Sequence, residues 1–359
     1  MKSRRLWCMA RIVVVKRVLP PSLSILTRFL TAFIGFLIAV YITSVATGLG
    51  FSETLRTAFE SFLDLNVFRY ISVFLPIALG LAIAFNANLW NLGAEGQLVM
   101  GAVGATYIAL FTPLGKMDYI APIASLAFAA IIGLLWALIP SVMRLYLGVN
   151  EAVTTLLMNY IAYYFSSYLV KGPWRGRGVY GYTTTDMIPD ASKLPVVPGY
   201  SFSWYIVVTA FVLVAIVYLL LYKTRFGISL RALSSSIAAV ELAGISSKRL
   251  ALAAFCISGA FAGFVGGAEI LVYHRKLVEG SIVGSGMGFT SIMVAWLGGL
   301  NPIGIVISSY YTAALYRLSF ALQIGSAAIG DALAKSIIGT LFAATIVAEF
   351  VSKYKIVVR

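Results

Sequence analysis

The stretch Asn86-Ala87-Asn88-Leu89-Trp90-Asn91-Leu92-Gly93-Ala94-Glu95-Gly96-Gln97 decides how this sequence is read. Apolar runs flank it at 71–85 and 98–111, so asparagines, glycines, a glutamate and a glutamine stand at or near bilayer depth. A carboxylate or unpaired amide in hydrocarbon is costly, so such groups face protein or a water-filled cavity. A broken helix offering polar groups near the midplane suits a substrate path across a membrane. Trp90 offers a flat face for a ring, and the amides offer paired donors and acceptors, a combination fitting a neutral sugar or nucleoside better than an ion. The alternative for each polar residue is a kink whose groups bond to neighbouring helices.

The composition around this stretch agrees. Of 359 residues, 60% are hydrophobic and only 11% charged, against roughly 25% charged in soluble domains; mean hydropathy is +0.94. The chain reads as an all-α polytopic membrane protein without room for a sizeable soluble domain. Its net charge of +14 does not point to nucleic acid, because the basic residues cluster at the ends of apolar spans, as positive-inside topology requires. Cys8 lies in a basic tail and Cys256 in an apolar span, so no disulfide is expected. With His274 they are too few for an ordinary metal site.

About ten apolar spans approach the length needed to cross a bilayer: 29–48, 69–86, 92–112, 119–142, 151–170, 204–222, 251–272, 286–300, 303–321 and 331–351. The first follows a basic tail and reads as an uncleaved span rather than a signal peptide. An even number puts both termini on one side, and the Lys and Arg of the tail, of 223–250 and of the C-terminus make that side cytoplasmic. The loop 171–203 carries Lys171, Arg175, Arg177 and Lys193 yet falls outside by parity. The expected organisation is a basic N-terminal tail at 1–28, one transmembrane domain at 29–351 and a C-terminal tail at 352–359. FNANLWNLGAEGQ has a distant echo in VAWLGGLNPIG at 294–304, which suggests two inverted halves.

Further constellations follow along the chain. Asn150 is placed to cap a helix starting at Glu151, where an acid suits the dipole; Thr155 and Asn159 then fall one turn apart, as pathway residues or as interhelical hydrogen-bonding groups. The loop 223–250 is expected to hold a short amphipathic helix with Leu230, Leu233, Ile237, Val240 and Leu242 on its apolar face, between Gly227 and Gly244. That is a docking element for a partner or a solvated connection. Ser258, Gly259, Gly263 and Gly267 form a stripe for close helix packing, and Glu269 is expected near the outer interface. The short, Gly-rich span at 286–300 reads as a half-helix. Asp331 and Lys335, one turn apart, are expected to pair. No GxxxxGK[ST] phosphate loop and no nucleophile elbow occur.

Several of these motifs together carry a resemblance. Asn91-Leu92-Gly93-Ala94-Glu95-Gly96-Gln97 resembles the N-I-G-x-E-G-Q motif of permease subunits of ABC importers for nucleosides and simple sugars. The likeness continues in order through Asn150-Glu151-Ala152-Val153-Thr154-Thr155-Leu156-Leu157-Met158-Asn159-Tyr160, Gly172-Pro173-Trp174, Arg231-Ala232, Ala243-Gly244-Ile245, Ser258-Gly259-Ala260, Gly286-x-Gly288-Phe289 and Asn301-Pro302-x-Gly304. It covers roughly 70–350, and Gly172-Pro173-Trp174 with the Pro-rich loop after it is similar to the larger permease of purine-nucleoside systems. One departure is Leu233-Ser234-Ser235-Ser236, where the family pattern reads V-G-x-N.

The resemblance implies an inner-membrane, non-catalytic subunit with a set of partners. A cytoplasmic ATPase would bind ATP and Mg and dock on the helix at about 229–243. A second permease chain, a shorter paralogue in a heterodimer, would complete the pathway, and an extracytoplasmic binding protein would deliver a small polar substrate. The pathway candidates are Asn88, Trp90, Asn91, Glu95, Gln97, Thr155, Asn159 and Phe289. The coupling candidates are Gly227, Arg231, Ser234, Ser235, Ala239, Glu241 and Gly244. Glu95 and Gln97 either touch substrate or hold the broken helix together. Two other classes compete: an ion-coupled secondary transporter, and an intramembrane enzyme with Glu95 as its acid.

Overall fold

The computed structural model describes residues 12–16, 30–31, 33–38, 40–42, 44–45, 48, 50–177, 183–325, 339–340, 343–344, 346–347, 350–351 and 354–358. The Asp331–Lys335 pair, most of both tails and part of the loop at 178–182 lie outside these residues. Two compact units divide the chain, Thr57–Leu322 and Met1–Arg56 with Gln323–Arg359. In the second unit, β1 (Ile12–Lys16) pairs antiparallel with β2 (Tyr354–Val358), Ile12 opposite Val358. Apart from this ribbon, the described elements are helical.

The elements are α1 (Phe51–Leu63), α2 (Val67–Asn86), α3 (Ala94–Phe111), α4 (Ile120–Leu147), α5 (Glu151–Lys171), α6 (Trp204–Lys223), α7 (Arg225–Ser235), α8 (Ile237–Leu242), α9 (Ser247–Ala268), α10 (Gly280–Gly284), α11 (Met287–Leu297) and α12 (Pro302–Gly325). Six described segments are long and apolar enough to cross a membrane: α2, α3, α4, α6, α9 with the π-turn Glu269–His274, and Gly280–Leu297. Burial separates them into two kinds. The apolar windows of α2 and α3 are 89% and 83% buried, those of α4 and α6 only 22% and 28%. Helices apolar all round are central; helices that leave apolar side chains outward, such as Tyr205, Val208 and Leu219 on α6, suit a hydrocarbon solvent.

The glycine stripe explains how α9 enters the centre. A Cβ on Gly263 would strike the backbone of Ala129 and Gly133, and one on Gly266 would overlap the Leu98 carbonyl. Backbone therefore meets backbone on two sides of α9, against α4 and α3, where small residues let helices approach without a hydrophobic driving force.

The sequence expectations need two corrections here. The amphipathic segment in 223–250 is two helices, because Ser236 leaves the helical conformation and its hydroxyl accepts from the Ala239 N–H, starting α8. Leu230, Leu233 and Val240 are buried as expected, but Ile237 and Leu242 face outward at 59% and 89% exposure. Glu269 is buried, because α9 ends in a π-turn rather than running straight to an interface. The segment 286–300 holds the short helix expected there, α11 (Met287–Leu297), parted from α10 at Ser285 and Gly286, both at positive φ. The long loop is pinned by backbone bonds to the π-turn and the residues after it: Leu194 N–H to the Leu271 carbonyl, Ile188 to Arg275 and Thr185 to Leu277.

Candidate functional site

The break between α2 and α3 leaves the first N–H groups of α3 without intrahelical partners, which a buried helix start must satisfy in some other way. The side chains expected to line a pathway do this. Asn91 Oδ1 accepts from the Gly93 N–H at 3.0 Å and from Gln97 Nε2 at 3.0 Å, while Asn91 Nδ2 donates to Gln97 Oε1 and to Ser258 Oγ. Two residues of α5 cap α3 from outside. Thr155 Oγ1 accepts from the Leu92 N–H at 3.1 Å, and Asn159 Oδ1 accepts from the Gly96 N–H at 2.8 Å while its Nδ2 donates to the Leu92 carbonyl. Asn91, Gln97, Thr155 and Asn159 are buried, and the one-turn spacing of Thr155 and Asn159 on α5 serves interhelical bonding.

Glu95 has its own cradle. Tyr163 Oη donates to Oε1 at 2.9 Å, the Gly286 N–H to Oε1 at 2.8 Å and the Gly288 N–H to Oε2 at 2.6 Å; the Phe289 amide adds to this set. The carboxylate thus sits at the N-terminus of α11, where backbone N–H groups and the dipole favour an anion. A Cβ at Gly288 would lie 2.5 Å from the Glu95 nitrogen, so the cradle depends on glycine. An acid at membrane depth is accounted for by capping.

Of the other pathway candidates, Asn88 and Trp90 face outward. Asn88 is exposed at φ 58°. Trp90 is 45% exposed and stacks on Trp296 at 5.7 Å between ring centroids, with Phe85 at 5.4 Å from Trp296. Phe289 is half-buried. The three rings form a half-open aromatic platform at the broken helix; Trp296 stands in the 294–304 segment that echoes the stretch, but nothing in the sequence pairs it with Trp90.

A second polar cluster escaped the sequence reading. Arg69, at the start of α2, donates from Nη1 and Nη2 to the two carboxylate oxygens of Glu269 at 2.7 and 2.5 Å. Both are buried, and the guanidinium lies over the Tyr273 ring at 4.2 Å. Asp64 and Arg317 pair beside it at 2.5 Å. Burial pushes the Asp64 carboxyl up, but the Asn66 N–H and Arg317 outweigh it and hold it below its ordinary 3.8. A cavity of about 370 Å³ opens between these groups. The available signal was an arginine opening one apolar span and a glutamate closing another.

The expected coupling residues lie together at the α7–α8 end. Arg231, Ser234, Ser235, Ala239, Glu241 and Gly244 are all exposed, with Arg231 over the Tyr222 ring at 4.9 Å. Gly227 differs: it is buried, and a Cβ there would strike the carbonyls of Leu220 and Leu221, so it packs α7 against α6 rather than meeting a partner. Among the described residues, no group of three or more His, Cys, Asp or Glu converges to hold a metal ion.

Comparison with known proteins covers nearly the whole of this architecture. Residues 63–346 match the family described as branched-chain amino acid transport system / permease component. The glucose ABC transporter permease protein TsgB13 of Haloferax volcanii is 30% identical over 347 residues, 94% of this chain and 89% of that protein. The guanosine ABC transporter permease protein NupP of Bacillus subtilis is 30% identical over 247 residues, 67% of this chain and 69% of its own length. The nucleoside ABC transporter permease protein NupB of Lactococcus lactis subsp. cremoris is 29% identical over 242 residues, 65% of each chain. No solved structure matches the chain.

Proposed function

The chain belongs to the branched-chain amino acid transport system / permease component family, and on that premise we propose that it carries a nucleoside or simple sugar through the inner membrane. It is a multi-pass permease subunit of an ABC importer and is itself non-catalytic. ATP, with Mg, is bound and hydrolysed by a separate cytoplasmic subunit. An extracytoplasmic binding protein delivers substrate, and a second, shorter permease chain completes the pathway. The observation that carries this reading is one chain holding two separate exposed features: the Trp90–Trp296 platform at the broken helix, and the α7–α8 surface that turns Ile237 and Leu242 outward.

About ten spans in two inverted halves, with both termini in the cytoplasm, is the topology we propose. Two observations support it. Six described segments are long and apolar enough to cross, and α5 and α12 are of comparable length. β1 near the start of the chain pairs with β2 near its end, which supports termini on a common side. In this topology Asn88, Trp90 and Phe289 face the pathway, and Asn91, Glu95, Gln97, Thr155 and Asn159 set its shape. Arg231, Ser234, Ser235, Ala239, Glu241 and Gly244 meet the ATPase. Exposed Leu242 is the apolar knob of that contact.

Co-purification tests the assignment of that surface. Wild-type permease is expected to retain its cognate ATPase in detergent, and Leu242→Asp to lose it while the permease keeps its own thermal unfolding profile. Undiminished retention by Leu242→Asp contradicts the assignment.

A further inference from the structure

We propose that the cavity at the Arg69–Glu269 end of the bundle is a binding subsite for the neutral nucleoside, one that rejects its phosphorylated form. This rests on the nucleoside reading of the substrate given above and adds a place and a selectivity to it.

The π-turn supplies part of the cavity wall, through Tyr273 and His274. Were α9 to continue as an α-helix, its end would follow the helical face that packs on α3 and α4. The wider turn at Glu269–His274 instead directs Glu269 to Arg69 and leaves Tyr273 half exposed at the cavity wall. π-turns inside helices recur at functional sites because they re-aim side chains in this way. The volume of about 370 Å³ falls within the ~300–1,000 Å³ of small-molecule pockets.

The lining is chemically specific. Tyr70, Tyr273 and Tyr316 bring aromatic rings to one space, Tyr70 and Tyr316 with centroids 5.4 Å apart. Flat faces of this kind take a heterocycle by stacking, at roughly 1–3 kcal/mol per base in nucleic-acid complexes. Hydrogen-bonding capacity is unspent beside them. Among the described residues, the hydroxyls of Tyr70 and Tyr273 have no hydrogen-bond partner, and Arg317 uses only Nε on Asp64. Those groups can meet base carbonyls and sugar hydroxyls. A site with unspent polar groups discriminates strongly in favour of ligands that satisfy them.

Charge decides the rest. Each guanidinium in the cavity already has a carboxylate: Arg69 has Glu269 and Arg317 has Asp64. Among the described residues of the lining, no guanidinium is left without a carboxylate to balance a phosphate. The cavity therefore matches a ligand that is aromatic and hydroxylated but uncharged. A free sugar lacks the flat heterocycle; a nucleotide carries charge the site cannot balance. In the proposed topology this end is the extracytoplasmic mouth, where a delivered substrate first meets the permease.

The test uses the assembled transporter, reconstituted in vesicles with its ATPase, partner permease and binding protein. Tritiated guanosine is the transported probe, GMP the competitor and 8-azidoguanosine the photolabel. Wild type is expected to take up guanosine, to be inhibited at least tenfold less well by GMP than by unlabelled guanosine, and to be labelled on peptides carrying Tyr70, Tyr273 or Tyr316. Tyr273→Ala is expected to raise the KM for guanosine about tenfold with a smaller change in kcat. Tyr70→Phe, which removes only a hydroxyl, is expected to raise it about threefold. Intact guanosine uptake with KM unmoved in both variants, or labelling confined to peptides carrying Trp90, overturns the subsite and leaves the substrate reading standing. Equal inhibition by GMP overturns the selectivity. Absence of guanosine uptake by wild type overturns both the subsite and the nucleoside half of the substrate reading on which it rests.

Discussion

Two polar clusters lie among the helices of this permease, and they differ in how much of their hydrogen-bonding capacity is used. At the start of α3, Asn91, Glu95, Gln97, Thr155 and Asn159 consume one another's donors and acceptors together with the orphan N–H groups of two helix starts. At the start of α2, Arg69 and Glu269 satisfy each other, but among the described residues Tyr70, Tyr273 and the outer nitrogens of Arg317 find no partner and stay open toward a cavity. A buried network with nothing left over holds architecture; a network with capacity left over toward a cavity can hold a ligand. Polar residues at membrane depth therefore do not all mark the path itself, and some mark what keeps its walls in shape.

Single substitutions probe this contrast, and the largest effect is expected at the ion pair. Glu269→Ala strands the Arg69 guanidinium in the interior, at a cost of about 3–5 kcal/mol. Thermal unfolding in detergent should show a large drop, partly recovered in Arg69→Met/Glu269→Leu, since replacing both partners removes the stranded charge. A single variant as stable as wild type breaks the contrast by making the pair incidental. A smaller effect is expected at the α3 cap: Asn159→Ala leaves the Gly96 N–H and the Leu92 carbonyl unpaired, about 1–3 kcal/mol. If Asn159 shapes the pathway without touching substrate, uptake falls with the unfolding temperature while KM stays put. A KM change at unaltered stability would return Asn159 to the substrate-contacting set.

The smallest effect concerns pH. Asp64 is depressed in the folded protein, so its contribution is fully present above its unfolded value and is lost as pH falls through the lower folded one. Stability should therefore start to decline below about pH 4, and Asp64→Asn should flatten that part of the profile. A profile identical in the two proteins contradicts a stabilising Asp64–Arg317 pair.

Much of the fold was legible because hydrophobic runs and glycine stripes are local signals. The α9 stripe could be read from spacing alone, and its backbone contacts with α3 and α4 follow from it. The Asn150 cap was likewise visible, its Oδ1 accepting from the Ala152 and Val153 N–H groups. Long-range pairings were not legible. Arg69 and Glu269 stand 200 positions apart, and nothing in either neighbourhood announces the other. The π-turn that brings them together was invisible too, because its composition continues the apolar run. The 223–250 segment failed for a different reason: its helical periodicity is real, but a single Ser236 leaves the helix and becomes a cap, splitting one amphipathic face into a buried part and an outward part.

The central claim, that this chain is the pathway of a transporter powered by another subunit, is tested most directly by uptake of tritiated guanosine into vesicles. Uptake is predicted only when the permease pair, the ATPase, the binding protein and ATP are all present. Uptake by this chain alone, without ATP and following an imposed proton or sodium gradient, would contradict the account.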